Sequence, residues 1–243
     1  KCRKSGLKPS CIVIVATIRA LKMHGGLDKN QLKKENMSAL IKGMINLERH
    51  INNMKKFGVP VTVAINKFVN DTRKEENAVI DFCKSMGIKA NLCTHWSDGG
   101  KGTKNLAETV VKLSSKKNSK FKYLYDSKLP LFKKIEKIAI ELYKASEVVA
   151  DTKIRSQLKE FETMGYKHLP ICIAKTQYSF STDPNLKGAP NDHVMQIRGL
   201  RLSSGAEFIV VFCGSINTMP GLPKIPAAEN IKLNPNGEID GLF

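Results

Sequence analysis

Residues 11–17, Cys-Ile-Val-Ile-Val-Ala-Thr, are apolar at nearly every position, with no polar alternation. That is the pattern of a strand buried on both faces, as in a parallel sheet. A Gly25-Gly26 break follows. From about Lys34 to Lys56, Leu40, Ile41, Met44, Leu47, Ile51 and Met54 recur at the three-and-four spacing of one helical face. Gly58 is placed to end that helix. Residues 59–66, Val-Pro-Val-Thr-Val-Ala-Ile-Asn, read as a second buried strand. Strand, helix, strand is a βαβ unit, and it predicts parallel pairing.

The alternation continues. Asp71 or Thr72 can N-cap a helix running to about Met86, with Glu75 in its first turn. Residues 88–93 make a short strand. Gly99-Gly100-Lys101-Gly102-Thr103 reads as a loop, 104–114 as a helix, and Ser114 to Lys120 as a polar, Lys-rich, exposed linker. Two helices are expected over 130–146 and 151–164. Strands are expected at 170–174, 194–198 and 207–213. The tail, 218–243, is rich in Pro and Gly. Within it Met219-Pro220-Gly221-Leu222-Pro223 is a constrained loop, because neither proline has an N–H to give. The fold class is therefore α/β, a parallel sheet with βαβ units followed by an α+β C-terminal portion. No internal repeat or low-complexity tract is present.

Composition narrows the function classes. The 243 residues are 42% hydrophobic and 26% charged, enough to bury a core and too balanced for wholesale disorder. No apolar run is long enough to span a bilayer, so no membrane association is expected. The start, Lys-Cys-Arg-Lys-Ser-Gly, has neither an initiator Met nor a signal segment, which is expected of an internal stretch of a longer protein. Six cysteines, none at C-x-x-C spacing, read as buried small apolar side chains in a reducing, cytoplasmic setting. No Cys or His pair stands at zinc-ligand spacing, so no metal ligand is assigned.

Net charge is +18. Such a field attracts polyanions, which include nucleotides and polyglutamylated cofactors as well as nucleic acid. The lysines are spread along helices (Lys33, Lys34, Lys55, Lys56, Lys116, Lys117, Lys133, Lys134) without interleaved aromatics. That is the pattern of a solvated surface, and it argues against nucleic acid.

Asn66-Lys67-Phe68-Val69 ends the second strand, where parallel-sheet proteins place ligand-binding loops. An Asn-Lys-x-Asp guanine signature is excluded because Val69 stands at the acid position. His95-Trp96-Ser97-Asp98 follows the third strand, and Trp96 is the one tryptophan. Phe68 and Trp96 are thus expected on adjacent loops at one sheet edge. There they either sandwich a flat heterocycle or pack into the core. A stack adds about 0.5–1.5 kcal/mol beyond burial. The Gly99–Thr103 stretch does not fit the phosphate-loop spacing G-x-x-x-x-G-K-[ST], and no other segment does. Ala174-Lys175-Thr176-Gln177-Tyr178-Ser179 is either a hydrogen-bonded turn or the edge of a site. His24, beside Gly25-Gly26, reads as structural, and His50, His168 and His193 carry no assigned chemistry.

Several segments, in order along the whole chain, closely resemble formate–tetrahydrofolate ligases. They are Val15-Ala16-Thr17-Ile18-Arg19-Ala20-Leu21-Lys22-Met23-His24-Gly25-Gly26, Phe57-Gly58-Val59-Pro60, Ala64-Ile65-Asn66-Lys67-Phe68, Asp71-Thr72, His95-Trp96, Leu124-Tyr125-Asp126, Leu169-Pro170-Ile171-Cys172, Ala174 to Ser179, Thr218 to Pro223, and the final Gly241-Leu242-Phe243. The resemblance implies a fold related to P-loop NTPases. It also implies ATP-dependent ligation of formate to tetrahydrofolate, with Mg2+, through formyl phosphate. In that family Phe68 and Trp96 would stack on the pteridine, with Leu92 nearby. The chain would be the C-terminal part, residues 1–67 ending the nucleotide-binding domain and 68–243 contributing the folate site. The phosphate loop and the catalytic residues would precede Lys1, and the full-length protein would be a homo-oligomer. A non-catalytic folate- or nucleic-acid-binding module is the alternative. Three positions depart from the family pattern: Val69 replaces a Pro, and Asp192 and Glu207 stand where Gly is usual. The last two lose backbone freedom if those positions need positive φ.

Overall fold

The computed structural model describes residues 2–115, 119–216 and 224–241. The elements run α1 (Cys2–Ser5), β1 (Ile12–Ala16), α2 (Ile18–His24), α3 (Met37–Lys55), β2 (Val61–Asn66), α4 (Arg73–Ser85), β3 (Ala90–Cys93), α5 (His95–Asp98) and α6 (Lys104–Ser115). Then follow α7 (Leu131–Ile138), β4 (Ala145–Val149), α8 (Thr152–Thr163), β5 (Ile171–Ala174), β6 (His193–Ser203), β7 (Phe208–Cys213), β8 (Lys232–Leu233) and β9 (Ile239–Asp240). The Thr218–Pro223 loop, Lys116, Lys117 and the final Leu242-Phe243 lie outside the described residues.

β1, β2 and β3 form a parallel sheet in that order, with Ile12 beside Val61 and Ile65 beside Leu92. The βαβ expectation holds. One part of it needs correction, because β1 is not buried on both faces. Ile12, Ile14 and Ala16 share the face of Val61, Val63 and Ile65, and that face packs into one core with Leu40, Met44, Leu47, Ile51 and Val79. On the other face α6 covers only β2 and β3, where Thr109 donates to Asn91, which in turn donates to Thr62. Val13 and Val15 lie beyond this cover, and Val15 is 61% exposed.

The cap expected at Asp71 or Thr72 is present, and two further helices have caps that the sequence analysis did not assign. Thr72, not Asp71, caps α4, and Thr72 and Glu75 complete a capping box. Asn36 caps α3 and Asp151 caps α8. A short helix, α2, was not anticipated between β1 and Gly25. It lies so close to α3 that a Cβ at Gly25 would stand 1.8 Å from the Ala39 carbonyl oxygen, and one at Gly43 would stand 1.8 Å from that of Leu21. Only glycine permits that approach.

The second half carries a four-stranded mixed sheet, order β4-β6-β7-β5, over a core of Leu131, Ile135, Val148, Leu158, Met195, Ile209 and Val211. The helix expected over 130–146 stops earlier. α7 passes into one π turn (Ala139–Tyr143), Lys144 takes a left-handed φ of 59°, and strand β4 begins. The tail adds the small hairpin β8-β9. Of the cysteines, Cys83, Cys93 and Cys213 are buried as expected, Cys11 is half-buried and Cys172 is exposed; all five are free. Not every helical lysine is solvated. Lys134 is fully buried, its Nζ donating to the Lys167 and Leu169 carbonyls at 2.5 and 3.0 Å.

Candidate functional site

The C-terminal ends of β2 and β3 lie side by side, and the Lys67 N–H donates to the Cys93 carbonyl at 3.0 Å. The chain then leaves each strand through an aromatic loop. After β2 the turn 68–71 closes on itself: the Asp71 carboxylate accepts from the Phe68 N–H at 2.8 Å, and the Asp71 N–H donates to the Phe68 carbonyl at 3.0 Å. Asp71 is buried, and burial pushes its carboxyl up, while the Phe68 N–H pulls it back down. An Asp three residues after an aromatic, at the mouth of a helix, is the signal that could have identified this turn.

Phe68 is half-buried, with the Arg19 guanidinium 4.0 Å over its ring. Arg19 comes from the first turn of α2, and its Nε is buried without a hydrogen-bond partner. A partly desolvated cation over an aromatic face contributes about 1–2 kcal/mol. The sequence reading did not connect Arg19 with Phe68. The contact joins two residues 49 positions apart, and no local pattern encodes it.

Trp96 sits in α5, directly after β3, and is 68% exposed. Among the described residues Trp96 belongs to neither hydrophobic core. Leu92, on β3, is half-buried against the sheet core beside Ile65. The Gly99–Thr103 stretch is not an open loop but a 3₁₀ turn that braces α5. The Gly102 carbonyl accepts from the Thr94 N–H at 3.1 Å, and a Cβ at Gly102 would stand 2.5 Å from the Thr94 carbonyl carbon. Val69, beyond Phe68, points into solvent at 87% exposure.

The turn is anchored from below. The Lys22 Nζ and the Glu75 carboxylate, both fully buried, meet at 2.9 Å. Lys22 also donates to the Lys34 carbonyl, and Glu75 also accepts from the Asn36 and Thr72 N–H groups. Burial pushes Glu75 up, but the Asn36, Lys22 and Thr72 donors outweigh it and hold the carboxyl below its ordinary value. The Lys67 Nζ is paired with Glu76 at 2.7 Å. His24 and the Lys175–Ser179 segment meet elsewhere, across a separate cavity.

The family model for formate–tetrahydrofolate ligase matches residues 1–243. The chain is 66% identical over all 243 residues to the formate–tetrahydrofolate ligase of Pelagibacter ubique (strain HTCC1062), of which it covers 43%. It is 56% identical over its full length to the enzymes of the same name from Sinorhizobium fredii and Granulibacter bethesdensis, covering 44% and 42% of them. It therefore spans under half the length of the curated relatives it matches.

Proposed function

The chain belongs to the formate–tetrahydrofolate ligase family, and from that membership we propose that Phe68, Trp96 and Leu92 hold the pteridine of tetrahydrofolate during ATP-dependent ligation of formate. The observation that carries this reading is Trp96: a large aromatic, 68% exposed, on a braced turn directly after β3, the strand paired in parallel with the one that Phe68 follows; loops at that end of a parallel sheet are where ligands bind. Arg19 occupies one face of the Phe68 ring. In this reading the pteridine stacks on Phe68 and Trp96, and Leu92 adds apolar contact from the strand.

In this reading the chain supplies the acceptor side of the reaction. Formate takes the terminal phosphoryl group of ATP to give formyl phosphate and ADP, and the amine of the stacked tetrahydrofolate attacks the formyl carbon and releases inorganic phosphate. The chain contains no G-x-x-x-x-G-K-[ST] stretch, and no phosphate-gripping step is assigned to its residues. Among the described residues no group of three or more His, Cys, Asp or Glu could hold a metal ion. The divalent cation is accordingly given no ligand here. No described helix is long and apolar enough to cross a membrane.

The test is direct. Trp96→Ala should weaken tetrahydrofolate binding by about 1–3 kcal/mol, the scale of one aromatic–base stack. Its unfolding midpoint should not move, because the side chain is exposed. Unchanged affinity in a calorimetric titration would remove Trp96 from the site.

A further inference from the structure

A cavity of about 240 Å3 lies where α2 and α3 face the segment after β5. Its chemistry is set by His24, His50, Lys175, Thr176 and Gln177. No Asp or Glu is among its lining residues.

The donors can be counted. The His24 Nδ1 accepts from the Gly188 N–H at 3.3 Å. The ring proton is therefore on Nε2, which is left as a donor. Burial, with Lys187 and His50 nearby, holds His24 down to about 4, so the ring is neutral near pH 7. Thr176 Oγ1 accepts from the Tyr178 N–H at 3.3 Å and keeps its own hydrogen to give. The Lys175 Nζ donates to the Thr176 and Ser179 carbonyls and stands 4.9 Å over the Tyr143 ring. These contacts hold the ammonium in place without cancelling its charge, and one N–H remains. Burial lowers Lys175 to about 8, so it is still largely cationic at neutral pH. Arg49 and Lys187 add positive field from the sides. A fixed cation without a counter-charge, among neutral donors in a partly enclosed space, favours a negative ligand.

We propose that this cavity is an oxyanion subsite that binds a carboxylate or phosphate group, with Lys175 supplying the charge and His24, His50, Thr176 and Gln177 the neutral hydrogen bonds. A water occupies about 30 Å3 in the liquid, so the space suits a small dicarboxylate or a phosphate. The same chemistry has two possible sources. One is a free anion. The other is the glutamate tail of a folate stacked on Phe68, and that source rests on the reading given under Proposed function. α2 joins the two places: Arg19 near one end covers Phe68, and His24 at the other lines the cavity. The two residues are separated by about 7.5 Å of helix rise.

The experiment uses the full chain. Inorganic phosphate and glutarate are titrated by calorimetry, and folate is compared with pteroate, which lacks the glutamate. A cavity filled from free solution gives saturable phosphate or glutarate binding that Lys175→Gln weakens about tenfold or more. A cavity filled by the tail gives folate binding about tenfold tighter than pteroate, and Lys175→Gln abolishes that difference while pteroate affinity stays the same. Lys175 also ties down the Thr176–Ser179 turn, so His50→Phe is the second variant. It keeps the ring contact with Phe180, 4.6 Å away, and loses the donor. It should weaken the same ligand by about two- to tenfold. The proposal is overturned if neither free anion saturates and folate and pteroate bind alike, or if both substitutions leave every affinity unchanged. Failure of the folate reading is seen separately, as pteroate binding that ignores Trp96→Ala; the phosphate and glutarate titrations still decide the cavity.

Discussion

Asp192 and Glu207 have φ values of 55° and 56°, so both are non-glycine residues in the left-handed region. The sequence reading made their cost conditional on positive φ, and the condition is met. A side chain in this region costs about 1–2 kcal/mol, less for Asp, which tolerates it. Glu207 is compensated in part by an ion pair to Lys4 at 2.8 Å, although both groups are well exposed and such a pair is worth about 0–1 kcal/mol. The hydrogen bonds of Asp192 run through its backbone, to the Lys144 carbonyl and from the Ser146 hydroxyl. Asp192→Gly should therefore keep these bonds and relieve the strain. We expect a gain of about 0.5–1 kcal/mol, a rise in Tm of about 2 °C by differential scanning calorimetry. A lower Tm would show that the Asp side chain contributes more than its backbone costs.

At the scale of elements, the Lys22–Glu75 pair joins α2, the segment before α3 and the start of α4. Removing one partner of a buried pair leaves an uncompensated charge, so Lys22→Met should cost about 3–5 kcal/mol in urea unfolding. The pH dependence has a definite sign. Glu75 is held below its ordinary value when folded. Its contribution is complete above the unfolded carboxylate pKa of about 4.3 and is lost as pH falls through the folded value. The stability gap between the parent chain and Glu75→Gln should thus narrow as pH falls below about 4.3. A gap that widens with acid would contradict the assignment. Because the α4 cap Thr72 directly follows the Phe68–Asp71 turn, the folate site proposed above implies that Lys22→Met also weakens tetrahydrofolate binding in a calorimetric titration.

At the scale of the whole molecule, α3 connects the two halves. Its apolar stripe feeds the first core, and a polar stripe at helical spacing, Asn46, Arg49 and Asn53, continued by the cap residue Lys56, faces the second half. Asn46 donates to the Gly188 carbonyl and Asn53 to the Leu142 carbonyl, each at 2.8 Å. Arg49 reaches the Ala189 carbonyl and the Asn191 side chain at 3.2 and 2.8 Å, and Lys56 pairs with Glu141. Arg49→Met should leave several of these acceptors unpaired and cost about 1–3 kcal/mol. It should also uncouple the halves, so that the calorimetric enthalpy exceeds the van't Hoff enthalpy. A single transition with an unmoved midpoint would show that Arg49 does not join them.

The sequence by itself determined what local physics encodes. Unbroken apolar runs predicted parallel strands, and β1, β2 and β3 are parallel. Three-and-four spacing predicted α3, and Thr72 with Glu75 predicted the start of α4. The order of strands and loops placed Phe68 and Trp96 at one sheet edge, because adjacent parallel strands bring their C-terminal loops together. Other features were decided only by the tertiary structure. The π turn that follows α7 ends at Lys144, a left-handed residue with no glycine to announce it. Which face of β1 is covered depends on tertiary contacts, because its apolar run looks the same on both faces. The Arg19–Phe68 contact, the Lys22–Glu75 pair and the anion-favouring cavity each join residues about 50 or more positions apart. Periodicity and capping act within one element and fix its type and its ends. Burial, and the electrostatics that burial makes strong, depend on which elements the folded chain brings into contact.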